Sequence, residues 1–356
     1  MAAKRRLAFG LVGLGVQGIL GVPLGGLSYL SECDTIYADV YTTPWPDGLM
    51  AELEARVGKP IIRASRVMVE DGRAILTEAK AKRIALVTVG DPLLATTHIT
   101  LKERAKECGI ETRVFYSSSI LNVLFGETGL HIYKLGKVIT AVRGRNGLSD
   151  SVYSEVKENL FTKRHTLILL EYDPGATDNL TPEGVLQEFV RLESNFRLGV
   201  FSDDRLMVVA SRVGWPTQSI QVGTMKEMLG RSYGTPPYSM IVPTEFHYTE
   251  LDALSSLPGA DKRTLESAST AIQPPTTILV NKTVRKTLVA LQKGRELAKE
   301  NGIKKLDSLF ENVECYLSDA QRFLLDGKPE LALIEAGYAE GLLDSLRFQG
   351  ILKLDW

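Results

Sequence analysis

The residues best placed to do chemistry lie in Gly90-Asp91-Pro92, directly after an uninterrupted apolar and β-branched run from Ile84 to Val89. Such a run suits a strand buried on both faces, and a carboxylate at its carboxyl end stands where open α/β sheets place their ligands. Asp91 suits a cationic or hydroxyl-bearing part of a ligand; alternatively it caps the turn through its own backbone. A second candidate is Gly13-Leu14-Gly15-Val16-Gln17-Gly18, a GxGxxG after the apolar stretch Leu7 to Val12, with Asp39 about twenty residues on. That spacing is the fingerprint of a dinucleotide site, in which the third glycine opens a helix that receives a pyrophosphate. Here Gly21, Pro23, Gly25 and Gly26 would spoil the first turns of that helix, so a glycine loop that lets backbone approach a ligand or a neighbouring strand is the better reading.

Other chemistries lack their residues. There is no G-x-x-x-x-G-K-[ST], no GxSxG, and no cysteine in a nucleophile context. Cys33, Cys108 and Cys315 form no CxxC, which fits reduced thiols in a cytoplasmic protein. His98, His131, His165 and His247 show no HxxxH or HxH spacing, so no metal site is expected. With 42 basic against 43 acidic residues the chain has no broad charge with which to bind nucleic acid. The uncharged run Leu7 to Leu30 holds seven glycines and Pro23, which argues against a signal peptide or membrane span. What fits is a reaction that needs no protein nucleophile. Methyl transfer from a sulfonium cofactor is one: the donor is already activated, and the protein has only to align two reactants.

The elements that must position these residues alternate along the chain. Strands are expected at Leu7 to Val12, Thr35 to Val40, Pro60 to Arg63, Ile84 to Val89 and Thr112 to Tyr116. Between them the pattern predicts helices at Gly48 to Val57, Asp71 to Arg83 and Ile99 to Cys108, with another opening at Ser117-Ser118-Ser119-Ile120. This makes residues 1–126 a parallel α/β domain. A second α/β domain, 127–257, has strands at Val138 to Val142, Thr166 to Leu170, Arg205 to Ser211 and Ser239 to Val242, and helices at Ser151 to Leu160 and from Thr181-Pro182-Glu183. Residues 258–280, rich in Ser, Ala, Pro and Thr, read as a linker. Helices at Asn281 to Asn301, Leu306 to Leu325 and Pro329 to Gly350 then make 281–356 a three-helix bundle, whose stripe Leu331, Ile334, Tyr338, Leu342, Leu346 reads as core.

Several blocks occur in the order they have in the diphthine synthases of archaeal type: Gly13-Leu14-Gly15, Cys33-Asp34, Tyr41-Thr42, GDPLLATTH at 90–98, Ser119-Ile120, TGLHIYKLG at 128–136, Pro236-Pro237 and Ile241-Val242-Pro243. The sequence resembles that family over roughly residues 7 to 255. The resemblance implies the tetrapyrrole-methylase class: two α/β domains with S-adenosyl-L-methionine in the cleft between them, S-adenosyl-L-homocysteine as product, and a cytoplasmic homodimer. It implies methylation of the amino group of the 3-amino-3-carboxypropyl histidine on translation elongation factor 2, as a step of diphthamide biosynthesis. Carried over position by position, the cofactor contacts fall on Val16, Asp91, Leu94, Ser119, Ile120, Leu170, Val213 and Tyr238. No side-chain base is implied, since water can take the amine's proton. Two departures stand out. Val16 to Leu27 is nearly all apolar where the family carries a polar segment, and Tyr238 stands in place of histidine. The alternatives are a methyltransferase of the same class with another acceptor, a fold kept for binding alone, or an NAD-dependent oxidoreductase resting on GxGxxG and Asp39. Residues 335–346 resemble a small helical domain of unknown function in archaeal proteins, either a docking element for the elongation factor or a stability or dimerisation appendage.

Overall fold

A computed structural model describes residues 8–145, 147–271, 275–303 and 305–354. Leu7, the basic triplet Lys4-Arg5-Arg6, and residues 272–274 of the expected linker lie outside them.

The first unit runs β1 (Phe9–Gly13), α1 (Leu24–Glu32), β2 (Thr35–Asp39), α2 (Leu49–Val57), β3 (Ile62–Ala64), α3 (Arg66–Asp71), α4 (Arg73–Ala79), β4 (Ile84–Thr88), α5 (His98–Glu107), β5 (Thr112–Phe115) and α6 (Ile120–Thr128). Its sheet is wholly parallel in the order β3-β2-β4-β1-β5, so the apolar run 84–88 is the middle strand, buried at every residue. Helices cover both faces, which is why β1 and β4 need no polar alternation. The expected helix Asp71 to Arg83 is two helices instead. Gly72, at φ +66°, closes α3 by returning its N–H to Met68 O and restarts the chain as α4. After β1 a 3-10 turn, Gly18–Gly21, precedes α1, which is N-capped by Pro23 and tolerates Gly25 and Gly26. Gly26 is there for contact: a Cβ would stand 3.0 Å from Val12 Cγ1 and 3.3 Å from Phe115 Cβ.

The second unit runs β6 (Ile139–Ala141), a small hairpin β7 (Arg143–Gly144) and β8 (Gly147–Leu148), α7 (Asp150–Phe161), β9 (Thr166–Leu170), α8 (Pro182–Phe196), β10 (Leu206–Ser211), β11 (Ser219–Thr224), α9 (Met225–Met228), β12 (Tyr238–Val242), α10 (Tyr248–Ser255) and α11 (Lys262–Ala271). Its sheet is mixed, in the order β11-β10-β12-β9-β6, with only β6 and β9 parallel. Part of the expected linker is therefore helix: Asp261 caps α11 by accepting from Thr264, and Leu265 and Ala268 enter the core of this unit.

The bundle is α12 (Pro275–Glu300), α13 (Asp307–Leu325) and α14 (Pro329–Phe348), with a separate apolar core. The predicted stripe on α14 is corrected. Its core face is Ala332, Ala336, Ala339, Leu343 and Leu346, which lets α13 approach closely, whereas Leu331, Ile334 and Tyr338 are 44%, 54% and 62% exposed. Ala332, Ala336 and Ala339 repeat at the same helical spacing as the larger residues, so periodicity weighted by size selects the wrong face. Among the described residues no helix is long and apolar enough to cross a membrane.

Candidate active site

The carboxyl ends of β1, β4 and β5 are laced together by their own loops. Gly15 and Gly90 exchange backbone hydrogen bonds of 3.1 and 3.0 Å, both at positive φ, 68° and 86°. Gly13 must be glycine for the same contact, since a Cβ would lie 2.6 Å from Gly90 O. Val16 N–H donates to Ser118 Oγ at 3.1 Å, and Ser117 Oγ donates to Gly21 O at 2.6 Å. The GxGxxG glycines thus hold loop to loop, at positions where a side chain has no room.

Asp91 is 6% exposed and spends its carboxylate on backbone: Oδ1 accepts from Leu93 N at 2.9 Å and Oδ2 from Ser117 N at 3.2 Å. It ties the β4 loop to the β5 loop. The rest of GDPLLATTH closes on itself, with Thr96 Oγ1 donating to Pro92 O at 2.9 Å and His98 Nδ1 at 2.9 Å from the same oxygen. Ser119 caps α6 and shares a capping box with Asn122.

Asp39 is not free for a ribose. It accepts from Tyr41 N and Thr42 N at 3.0 Å each and from Thr88 Oγ1 at 3.1 Å, and Oδ2 lies 3.2 Å from His98 Nε2, too oblique for a full hydrogen bond. Burial pushes its carboxyl up, but contacts with His98 and Thr42 outweigh that and hold it below the usual range. With Asp39 consumed and no α-helix opening at Gly18, the dinucleotide reading loses both its supports.

From the second unit, Gly214 and Trp215 press on the first loop. A Cβ on Gly214 would stand 2.9 Å from Val16 O, and one on Gly18 2.9 Å from Trp215 Cη2. This accounts for part of the apolar character of Val16 to Leu27. Between the two units lies a cavity of about 600 Å³. All eight residues singled out from the sequence line it: Val16, Asp91, Leu94, Ser119 and Ile120 from the first unit, Leu170, Val213 and Tyr238 from the second. Tyr238 contributes its ring, because its hydroxyl donates to Gly234 O at 2.6 Å. Sequence reasoning missed Arg66, Glu171, Tyr172 and Trp215, which line the same space. Tyr41 and Thr42 were visible only as a block of the resemblance; Arg66 carried no signal at all. The lining offers apolar walls, backbone groups and three charged side chains, Arg66, Asp91 and Glu171. No cysteine lines it, and Ser119 is engaged as a cap.

The sequence matches the model for Tetrapyrrole (Corrin/Porphyrin) Methylases over residues 9–229, and a model described as Protein of unknown function (DUF357) over residues 279–352. The diphthine synthase of Methanothermobacter thermautotrophicus is 30% identical over 72% of this chain and 97% of its own. That of Methanocaldococcus jannaschii is 34% identical over 69% of this chain and 97% of its own. The chain belongs to the diphthine synthase family of tetrapyrrole methylases. It is a methyltransferase by that membership. A crystal structure of diphthine synthase superposes with a TM-score of 0.65 at 25% identity, covering 73% of this chain and 99% of that one. The family's extent stops short of the bundle, which is the second matched region.

Proposed function

We propose that this protein uses S-adenosyl-L-methionine to methylate the amino group of the 3-amino-3-carboxypropyl histidine on translation elongation factor 2, forming diphthine. The observation that carries the reading is convergence. Eight positions transferred from the family, scattered from residue 16 to residue 238, line one cavity between the two units. Its volume, about 600 Å³, is within the range of small-molecule sites and leaves room beside a nucleoside-sized ligand.

When bound, the cofactor supplies an activated methyl group carried on a sulfonium. The chain supplies the surroundings. Val16, Leu94, Ile120, Leu170 and Val213 offer apolar walls to its adenine and methionine parts, and Tyr238 offers a ring face. Asp91 acts as a positioning residue, holding the β4 and β5 loops in register around it. The acceptor amine has to arrive unprotonated with its lone pair aimed along the transfer direction; water takes the proton, so no side chain need serve as base. The same reading takes the protein as cytoplasmic and as a homodimer; light scattering of the purified chain tests the dimer.

The first experiment is calorimetric titration of wild type and Asp91→Ala with S-adenosyl-L-methionine, S-adenosyl-L-homocysteine and NAD. Binding of both sulfur ligands and not NAD, weakened about tenfold by the substitution, is expected, because removing the carboxylate orphans two backbone N–H groups that order the loops. Binding of NAD, or of neither sulfur ligand, would overturn the reading. Methyl incorporation into the modified elongation factor then tests the acceptor.

A further inference from the structure

The cofactor positions draw on the loops after β1, β4 and β5 and on the second unit. In the order β3-β2-β4-β1-β5 these first-unit loops occupy the centre and one flank. The opposite flank also reaches the cavity, through Tyr41, Thr42 and Thr43 after β2 and Arg66 after β3, and the cofactor assignment leaves all of them unused. We propose that Arg66 binds the carboxylate of the acceptor side chain and thereby aims the adjacent amine. This rests on the reading of the acceptor as a 3-amino-3-carboxypropyl histidine.

Charge is the first reason. Among the described residues that line the cavity, Arg66 is the one cation, and the carboxylates of Asp91 and Glu171 line the same space. Those two hold backbone N–H groups, Leu93 and Ser117 for Asp91 and Arg143 for Glu171, and both repel an entering anion. An acceptor that carries a carboxylate into this space has one place to be neutralised.

Geometry is the second. Arg66 is the first residue of α3, whose N-cap Ser65 accepts from Met68 N at 3.3 Å, so its backbone is fixed at the end of β3. Its guanidinium lies over the Tyr41 ring, 5.5 Å from the centroid. Tyr41 Oη is in turn 3.3 Å from Thr97 Oγ1, in the loop that bears Asp91 and Leu94. The cation is thus braced against the same loop that borders the cofactor positions. Its other partner, Glu70, lies one helical turn on at 3.5 Å, with the two side chains 61% and 43% exposed. An exposed pair of that kind is readily exchanged for a better-placed carboxylate. The planar fork of arginine grips a carboxylate through two parallel bonds. In the acceptor, amine and carboxylate share one carbon, so gripping one group sets the direction of the other.

The test uses full-length protein and two acceptors, the elongation factor carrying the 3-amino-3-carboxypropyl group and the same factor with that carboxylate converted to a carboxamide. Arg66→Gln is expected to lower kcat/KM on the carboxylate acceptor about 10- to 100-fold, the loss of a charge-assisted pair, while cofactor affinity stays within about twofold. Arg66→Lys recovers part of it. On the carboxamide acceptor, wild type and Arg66→Gln should be equally slow. Full activity of Arg66→Gln, or an equal loss on both acceptors, overturns the assignment. A wild type that binds the cofactor yet transfers no methyl to the carboxylate acceptor refutes the acceptor reading itself, and this assignment with it.

Discussion

Each α/β unit buries one carboxylate against one histidine, and the two pairs serve different ends. Asp39 and His98 lie 3.2 Å apart in the first unit, Glu250 and His165 2.8 Å apart in the second, with all four side chains fully shielded. The first pair sits under the loop 90–98, whose Asp91, Leu94, Thr96 and Thr97 line the cavity. Both nitrogens of His98 face acceptors, Pro92 O and Asp39, so the ring pins the start of α5 to the floor of the site. The second pair touches no lining residue named for the cavity. Glu250 accepts from His131 N at 2.8 Å, Lys134 Nζ at 2.7 Å and His247 N at 2.7 Å, and so clamps the TGLHIYKLG segment to α10. His165 is held neutral: its Nδ1 accepts from Thr244 N at 3.0 Å, leaving Nε2–H to donate to Glu250. The same side-chain chemistry therefore supports a cavity-lining loop in one place and closes a fold in the other. What separates them is whether the pair lies beneath strand ends that open on the cavity.

The comparison breaks most visibly at Glu250. Glu250→Ala leaves two backbone N–H groups and a buried histidine nitrogen without their acceptor and Lys134 with only the Glu245 carbonyl, and is expected to cost about 3–5 kcal/mol in denaturant unfolding. Cofactor affinity of the folded protein should not change; a large loss of affinity would erase the distinction drawn between the pairs. Asp39→Ala is expected to cost about 3 kcal/mol and, unlike Glu250→Ala, to weaken cofactor binding roughly tenfold, because the 90–98 loop loses its floor. Unchanged affinity in calorimetry would show that the loop does not depend on the pair.

The smallest effect is a pH dependence that belongs to the second pair. Burial pushes the His165 imidazole below its ordinary 6.5, against the pull of Glu250. The unfolded chain therefore takes up a proton below pH 6.5 that the folded one does not, and stability falls as pH drops through that value, by at most about 1.4 kcal/mol per pH unit. Glu250 is held well below its ordinary 4.5; burial alone would raise it, but bonds from His165 and Lys134 prevail. Its contribution is present above 4.5 and is lost as pH falls further. Denaturation midpoints followed from pH 7.5 to 4 should show the upper slope in wild type and not in His165→Gln. A slope that survives the substitution would place the titrating group elsewhere.

Legibility in the sequence followed how local each signal is. Thr166–Leu170 is a strand at the residues its apolar run predicts, and Thr181 caps α8 with Pro182 at its first position, because β-branching and capping act within a few residues. The polar run Asp71 to Arg83 hides its own break, because the left-handed C-cap at Gly72 is a matter of backbone conformation and not of hydrophobic spacing. The helix at Lys262–Ala271 hid in a Ser- and Ala-rich segment because what holds it is Leu265 and Ala268 against a distant core, not its own propensity. Edge strand β11 was likewise invisible: its apolar positions are broken by Gln221 and Gly223, and pairing with β10 supplies what the pattern lacks.

For the site the division is sharper. Residue types and their order determined the parallel sheet, the three loops at its carboxyl ends and, through motifs shared with the family, which eight positions to watch. Only the tertiary structure decided what those residues do for one another. Asp91 serves as a loop tie, Asp39 is consumed by His98 and two threonines, and Arg66, silent in the sequence, stands at the cavity as its cation among the described lining residues. The physical reason is range. Capping, turn geometry and strand preference are settled within a few residues along the chain, whereas the partner of a buried charge and the walls of a cavity are settled by segments far apart in sequence that meet only once both sheets have formed.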